Sequence, residues 1–148
     1  MQWKLKHYEE LTRDEAYELL RLRCEVFIVE QNCVYLDVDG EDRTAWHLLA
    51  RDGQGKLCAS LRALPRTENE PMHFGRIVVR PDARGLGLGK ELVRRGLDCA
   101  RDVLGEPAVS IMAQAHLRGF YESLGFRAVS EPYDSTGILH IDMLWKAQ

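Results

Sequence analysis

Between Ala45 and Leu64 two strand-like runs, AWHLLAR and KLCASLRAL, flank the tetrapeptide Asp52-Gly53-Gln54-Gly55. Glycine reaches positive φ without steric cost, so this stretch reads as a tight reversal joining antiparallel neighbours. Successive parallel strands need a crossover of a dozen or more residues, which a short turn cannot supply. A hairpin in mid-chain therefore argues against an all-parallel, doubly wound sheet.

The flanking segments fill in around the hairpin. The stretch WKLKHY alternates as a first strand, and Thr12 with Glu15 forms a capping box ahead of a helix. Ala16, Leu19, Leu20 and Cys24 recur at helical spacing, which carries that helix to about Phe27. VYLDVDGED follows as an acidic, turn-rich loop. HFGRIVVR is a strand stopped by Pro81, which has no N–H for a ladder. From Leu88 onward, Leu92, Val93, Gly96, Leu97, Ala100 and Val103 mark one helical face. AVSIMAQA is a strand, and Leu117, Phe120, Tyr121 and Leu124 form a short amphipathic helix ending near Gly125. HIDMLWK alternates as the last strand. The order β-α-β-β-β-α-β-α-β predicts an α/β (α+β) fold, a mixed and mostly antiparallel central sheet flanked by helices. One domain over residues 1–148 is expected, with no repeat or linker to divide it.

Composition narrows the function. The formal charge of −3 argues against a non-specific nucleic-acid binder, which carries a basic excess. No apolar run reads as a leader or a membrane span, so the expectation is a cytoplasmic protein with neither nucleic acid nor membrane as partner. Cys24, Cys33, Cys58 and Cys99 are scattered without a C-x-x-C pair, and read as small buried hydrophobes rather than zinc ligands. DVDGED fails as a calcium loop, because Asp42 falls where glycine is needed and Leu48 where the bidentate glutamate is needed. His7, His47, His73, His116 and His140 lack metal-binding spacing, and no metal is expected.

The stretch VVRPDARGLGLGKEL packs three glycines between a strand and a helix. A phosphate-binding loop of the Walker type needs glycine at Arg84 and a hydroxyl at Glu91; a dinucleotide fingerprint needs glycine at Lys90. Both readings fail. A turn of successive backbone amides entering a helix remains, a concave site with the positive end of the helix dipole behind it.

The pattern R-x-x-G-x-G after VVRP resembles the pyrophosphate loop of the GNAT superfamily of N-acetyltransferases. A second block, AQAHLRGFYESLGF, is similar to that family's later strand-helix segment, in the family's order. RCEVFIVEQNCVYLDVDGED and GILHIDM further resemble the ElaA-like branch. The resemblance implies a GNAT-like acyl-CoA N-acyltransferase fold and acetyl transfer from acetyl-CoA to an amine. It implies that Arg84, Gly85, Leu86, Gly87, Leu88, Gly89 and Lys90 hold the pyrophosphate and that Ile77, Val78 and Val79 pair with the pantetheine arm. Lys90 and Arg94 either meet the 3′-phosphate or form a solvated face.

Gln114 falls where many relatives carry asparagine, and its longer amide makes similar bonds. Tyr121 falls at the position of the acid that protonates the leaving thiolate, although spacing alone assigns it to the core. Gly75 stands where many relatives place a glutamate base, which leaves the base open. Glu30 is the first candidate, because apolar neighbours would desolvate it and raise its pKa. His140 is the second, as a neutral imidazole needs less tuning. Asp37, Asp39, Glu41 and Asp42 form either a solvated acidic loop or the border of a cationic acceptor's entrance. The acceptor is a small-molecule or peptide amine, and a homodimer is compatible with the sequence. The alternative is a CoA-sensing or partner-binding module with the same fold and no turnover.

Overall fold

The computed structural model describes residues 1–148. Strand β1 (Gln2–His7) leads into α1 (Arg13–Arg23), whose start is fixed by the capping box. Thr12 Oγ1 accepts from the Glu15 amide at 3.1 Å, and Glu15 accepts from the Thr12 amide at 2.9 Å. Glu15 also pairs with Lys6 at 2.8 Å, tying the helix to β1. The chain continues in β2 (Trp46–Arg51), β3 (Leu57–Leu64), β4 (Met72–Val79), α2 (Leu88–Asp102), β5 (Ala108–Gln114) and α3 (Arg118–Glu122). Two short strands, β6 (Arg127–Ala128) and β7 (Tyr133–Ser135), precede β8 (Ile138–Lys146).

The eight strands form one sheet in the order β1-β2-β3-β4-β5-β8-β6, with β7 also on β8. Every pairing is antiparallel except β4 with β5. The hairpin lies between β2 and β3 as expected, with Gly55 at φ +79° and its amide bonded to the Asp52 carbonyl at 2.9 Å.

Each face of the sheet has its own core. On one, Leu19 and Leu22 of α1, with Val26 just beyond it, pack against Leu49, Leu57 and Val78. On the other, α2 packs Leu92, Val93 and Leu97 against Leu61 and Phe74, and Tyr121 and Phe126 extend the same cluster. Gly96 lies where α2 comes nearest the sheet. A Cβ there would stand 2.8 Å from Leu61 Cδ2 and 3.0 Å from Phe74 Cε2, which is why the helical face tolerates no side chain at this point.

Three expectations need correction. The regular part of α1 stops at Arg23 rather than Phe27, and Cys24–Glu30 form a widened π-helical stretch, with the Gln31 amide bonded to the Val26 carbonyl at 3.1 Å. A 3.6-residue apolar period persists through such a widening and cannot signal it. Strands β6 and β7 escaped the sequence reading because two or three residues are too short to show alternation; pairing to β8 creates them.

The third concerns the acidic loop, which is only partly solvated: Asp39 and Glu41 are exposed. Asp37 and Asp42 are buried, and both bond Arg23, itself fully buried. Of the cysteines, Cys58 is buried while Cys24, Cys33 and Cys99 are half-buried. No helix is long and apolar enough to cross a membrane.

Candidate active site

The parallel pairing of β4 with β5 runs only from Met72–Val109 to Phe74–Ile111. Beyond Phe74 the two strands part. The cause is local: Gly75 and Arg76 interrupt the β4 ladder, Arg76 adopts φ +49°, and the register against β3 shifts between Ser60 and Arg62. A left-handed non-glycine residue costs about 1 kcal/mol or more, so surrounding contacts must hold it there. Arg76 is held by its side chain. Its guanidinium lies 5.6 Å from the Tyr35 ring centroid and donates to the Asp37 carbonyl and to Asp39, both at 3.1 Å. Its Nε stands 2.8 Å from Asp37 Oδ1, close enough to pair charges but not aligned as a hydrogen bond.

The parting strands open a cleft of about 350 Å³. Phe27 and Gln31 reach it from the widened end of α1, and Tyr35 from the loop beyond. Phe74 to Ile77 form one wall and Ile111 to Gln114 the other, with Leu117, Tyr121 and His140 closing the end. The structure thus brings Ile77, Gln114, Tyr121 and His140 together.

Tyr121 is both packed and at the cleft. Its ring is core, edge-on to Phe120 at 5.1 Å and to Phe126 at 5.7 Å. Its residue nonetheless lines the cleft, and burial alone, with no hydrogen-bond partner, pushes its phenol up to about 12. His140 sits on β8 opposite Gln114 of β5 and is 8% exposed. Its Nδ1 lies 2.8 Å from the Ile138 carbonyl. A carbonyl only accepts, so Nδ1 carries a proton, and the tautomer this selects has its lone pair on Nε2. The Tyr133 ring stacks on the imidazole at 6.4 Å, and Tyr133 donates to Asp142 at 2.6 Å, which fixes the stack.

Glu30 stays apart from this group. It does not line the cleft, and its carboxylate forms a two-pronged pair with Arg84 at 2.7 and 2.9 Å. The hydrogen bond from Arg84 holds its pKa below the ordinary value, against a smaller opposing push from burial. The expected desolvation fails because the neighbouring apolar side chains do not enclose it, Val29 being 75% exposed. Glu30 is a surface ion-pair partner with its pKa shifted away from a base's working range.

Arg84 also donates to the Val79 carbonyl at 3.1 Å, so its side chain ties the loop to β4 and to the end of α1. Beyond Arg84 the backbone turns through Gly85 at φ +87° and Gly87 at φ +76°, the residue that precedes α2. No side chain caps α2, and no amide from Gly85 to Lys90 bonds an acceptor in the turn. Leu88 points into the core and Gly89 lies 3.8 Å, measured from an added Cβ, from Val79. The loop is a row of unpaired donors on a strand-to-helix turn, chemistry suited to an anion. Ile77 and Val79 face the core beneath α2 and Val78 faces α1, while their backbone has no partner on the side from which β5 has departed.

Sequence reasoning missed Phe27, Gln31, Tyr35 and Arg76 as cleft residues. For Arg76 a signal was present, since an isolated glycine inside a strand pattern marks a bulge. The other three depend on where the widened helix delivers them.

The chain matches the acetyltransferase (GNAT) domain family over residues 13–147. It is 40% identical over 146 residues to the protein ElaA of Escherichia coli, spanning 97% of this chain and 95% of that one. The crystal structure of Escherichia coli ElaA superposes with a TM-score of 0.88, covering 98% of this chain and 99% of that one. An acyl-CoA N-acyltransferase from Pseudomonas aeruginosa, 42% identical, superposes with a TM-score of 0.89 over 98% and 99% of the two chains. An aminoglycoside 6′-N-acetyltransferase complexed with coenzyme A, 16% identical, shares the fold, with a TM-score of 0.70 over 97% and 96%. A mixed sheet parted at β4 and β5, an uncapped glycine turn and these matches together assign the chain to the GNAT acetyltransferase family.

Proposed function

We propose that the chain moves an acetyl group from acetyl-CoA to a primary amine by direct attack of the amine on the thioester. The observation that carries this reading is the meeting, in one cleft, of an imidazole with a free ring nitrogen, an unpartnered phenol and an open strand edge. The unpaired amides of Gly85 to Lys90 fit a pyrophosphate, and Lys90 adds a positive charge beside them. The backbone edge of Ile77, Val78 and Val79 fits the amide-bearing pantetheine arm, with Gln114 bonding it from the opposite wall. Acetyl-CoA supplies an activated carbonyl and a sulfur leaving group.

His140 takes the amine's proton on Nε2 as the nitrogen attacks. A backbone amide of the β4 edge steadies the developing oxyanion, a contribution of about 3 kcal/mol where one such donor has been removed elsewhere. As the C–N bond forms the C–S bond breaks, and the sulfur leaves with the electron pair. Tyr121 donates a hydrogen bond to that sulfur. A phenol near 12 is a weaker acid than an ordinary thiol at ~8.5, so Tyr121 stabilises the thiolate more readily than it surrenders its proton.

The test is release of free thiol from acetyl-CoA in the presence of an amine panel. Amine-dependent release is expected, and His140→Gln should lower kcat/KM by ~10²-fold or more. Glu30→Gln should leave the shape of the pH–rate profile unchanged. Acetyl-CoA binding without release for any amine would support the non-catalytic alternative instead.

A further inference from the structure

No carboxylate lines the cleft. Asp37 is paired with Arg23 at 2.9 Å and lies beside Arg76 at 2.8 Å. Asp39 is paired with Arg62 at 2.9 Å and Arg76 at 3.1 Å. Asp42 is buried between Arg23 at 2.7 Å and Arg62 at 3.3 Å. Farther out, Glu30 is committed to Arg84 at 2.7 Å and Asp142 accepts from Tyr133 at 2.6 Å. Three arginines thus face three aspartates at the core of the loop, with Glu41 exposed at 3.8 Å from Arg62, and the charged side chain that lines the cleft is a cation, Arg76.

The remaining polar side chains on the cleft wall are the amides of Gln31 and Gln114, the Tyr121 and Tyr35 phenols and the His140 imidazole. The rest of the wall is apolar, with Phe27, Phe74, Met112 and Leu117. The reacting nitrogen enters as the free amine, its ammonium proton left in solvent, so a monoamine brings no charge into the cleft and His140 Nε2 stays available for the proton released on attack. A second ammonium on the same molecule would keep its charge, meet Arg76 rather than a carboxylate, and lose water without compensation.

We infer that the acceptor is a primary amine borne on an apolar, aromatic body with no second cationic group, and that polyamines are excluded. The inference rests on the acyl-transfer reading above. It also sets aside the alternative that the acidic loop draws a cationic acceptor, because folding pairs Asp37, Asp39 and Asp42 with arginines.

A matched pair isolates the second charge. Benzylamine and 4-(aminomethyl)benzylamine share the ring and the reacting amine and differ by one ammonium arm. With saturating acetyl-CoA, kcat/KM should favour benzylamine by about tenfold or more, as expected for an ammonium left without a counter-charge. Arg76→Gln, checked for folding by circular dichroism, removes the repelling cation and partly frees Asp39, so this preference should shrink. A diamine, or spermidine, used as well as or better than benzylamine overturns the inference. Saturation-transfer NMR on the CoA-loaded protein separates the two ideas. Selective binding of benzylamine without acetyl transfer upholds the acceptor class while the acyl-transfer reading falls. Transfer to polyamines upholds the chemistry while the acceptor class falls. Absence of acetyl-CoA binding overturns both.

Discussion

Tyr121 joins two environments within one side chain: a ring wedged between Phe120 and Phe126, and a hydroxyl that no group of the protein bonds. Tyr121→Phe keeps the ring and deletes the hydroxyl alone. Since that hydroxyl makes no internal hydrogen bond, thermal stability should hold or rise slightly, while kcat falls by ~10²-fold. A lower melting temperature with unchanged kcat would make Tyr121 a core residue only. At the same scale, His140 and Glu30 exchange the ranks that sequence context gave them. Apolar neighbours in sequence do not ensure burial in space, and Glu30 lies exposed against Arg84. His140, by contrast, has its tautomer set by the Ile138 carbonyl, a contact created by the local backbone of β8.

At the scale of elements, the turn into α2 and the helix itself make separate demands on glycine. Gly87 adopts φ +76° with open space where a Cβ would go. Gly87→Asp therefore costs the fold little beyond left-handed strain, which aspartate tolerates better than most residues. In the proposed complex the carboxylate would face the pyrophosphate, so calorimetry should show acetyl-CoA binding weakened by about tenfold or more, ~1.4 kcal/mol. Unchanged affinity in a folded variant would remove the turn from the site.

Gly96 reverses that balance, because its space is filled. Gly96→Val pushes methyl groups into Leu61 and Phe74, and overpacking of this kind costs about 1–3 kcal/mol, more than the helix gains by losing a glycine. Urea unfolding should register the loss. Because Phe74 also walls the cleft, kcat/KM should fall in the same variant.

Across the whole molecule, the arginine–aspartate network joins α1, the acidic loop, β3 and β4, and so holds the cleft's outer wall to both cores. Desolvation on its own raises the Asp42 pKa, but the hydrogen bonds and charges of Arg23 and Arg62 outweigh it and hold the carboxyl below the usual range. A depressed folded pKa contributes stability that is complete above the unfolded value of ~3.9 and is lost as pH falls through the folded value. Asp39, depressed by Arg62 and Arg76 against its own desolvation, adds to the same acid limb. Asp42→Asn should destabilise at neutral pH by about 3 kcal/mol, the order expected when one partner of a buried pair is removed. Unfolding free energies taken down to about pH 3 should show the gap between parent and variant beginning to narrow below ~3.9, as the unfolded chain's carboxylate takes up its proton first. A gap independent of pH would mean that Asp42 contributes shape rather than charge.

Sequence alone determined the features that depend on neighbours in the chain. The Asp52–Gly55 reversal, the Thr12–Glu15 cap, the strand stopped at Pro81 and the Gly85–Gly89 turn into α2 are local chemistry, legible wherever they occur. Those features bounded the sheet to a mixed one and, with the two motif blocks, pointed to the family and to the turn proposed here to hold an anion. Only the tertiary structure decided where charges are used. Asp37 and Asp42 look solvent-bound in sequence because Arg23, fourteen and nineteen positions away, bears no visible relation to them. Folding sets them within hydrogen-bonding distance, and burial makes the pairing obligatory, since neither charge can be left dry and alone. The cleft has the same origin: β4 and β5 part at a bulge, and His140 reaches the cleft that Tyr121 lines from a strand that pairs with β5 only in the finished sheet.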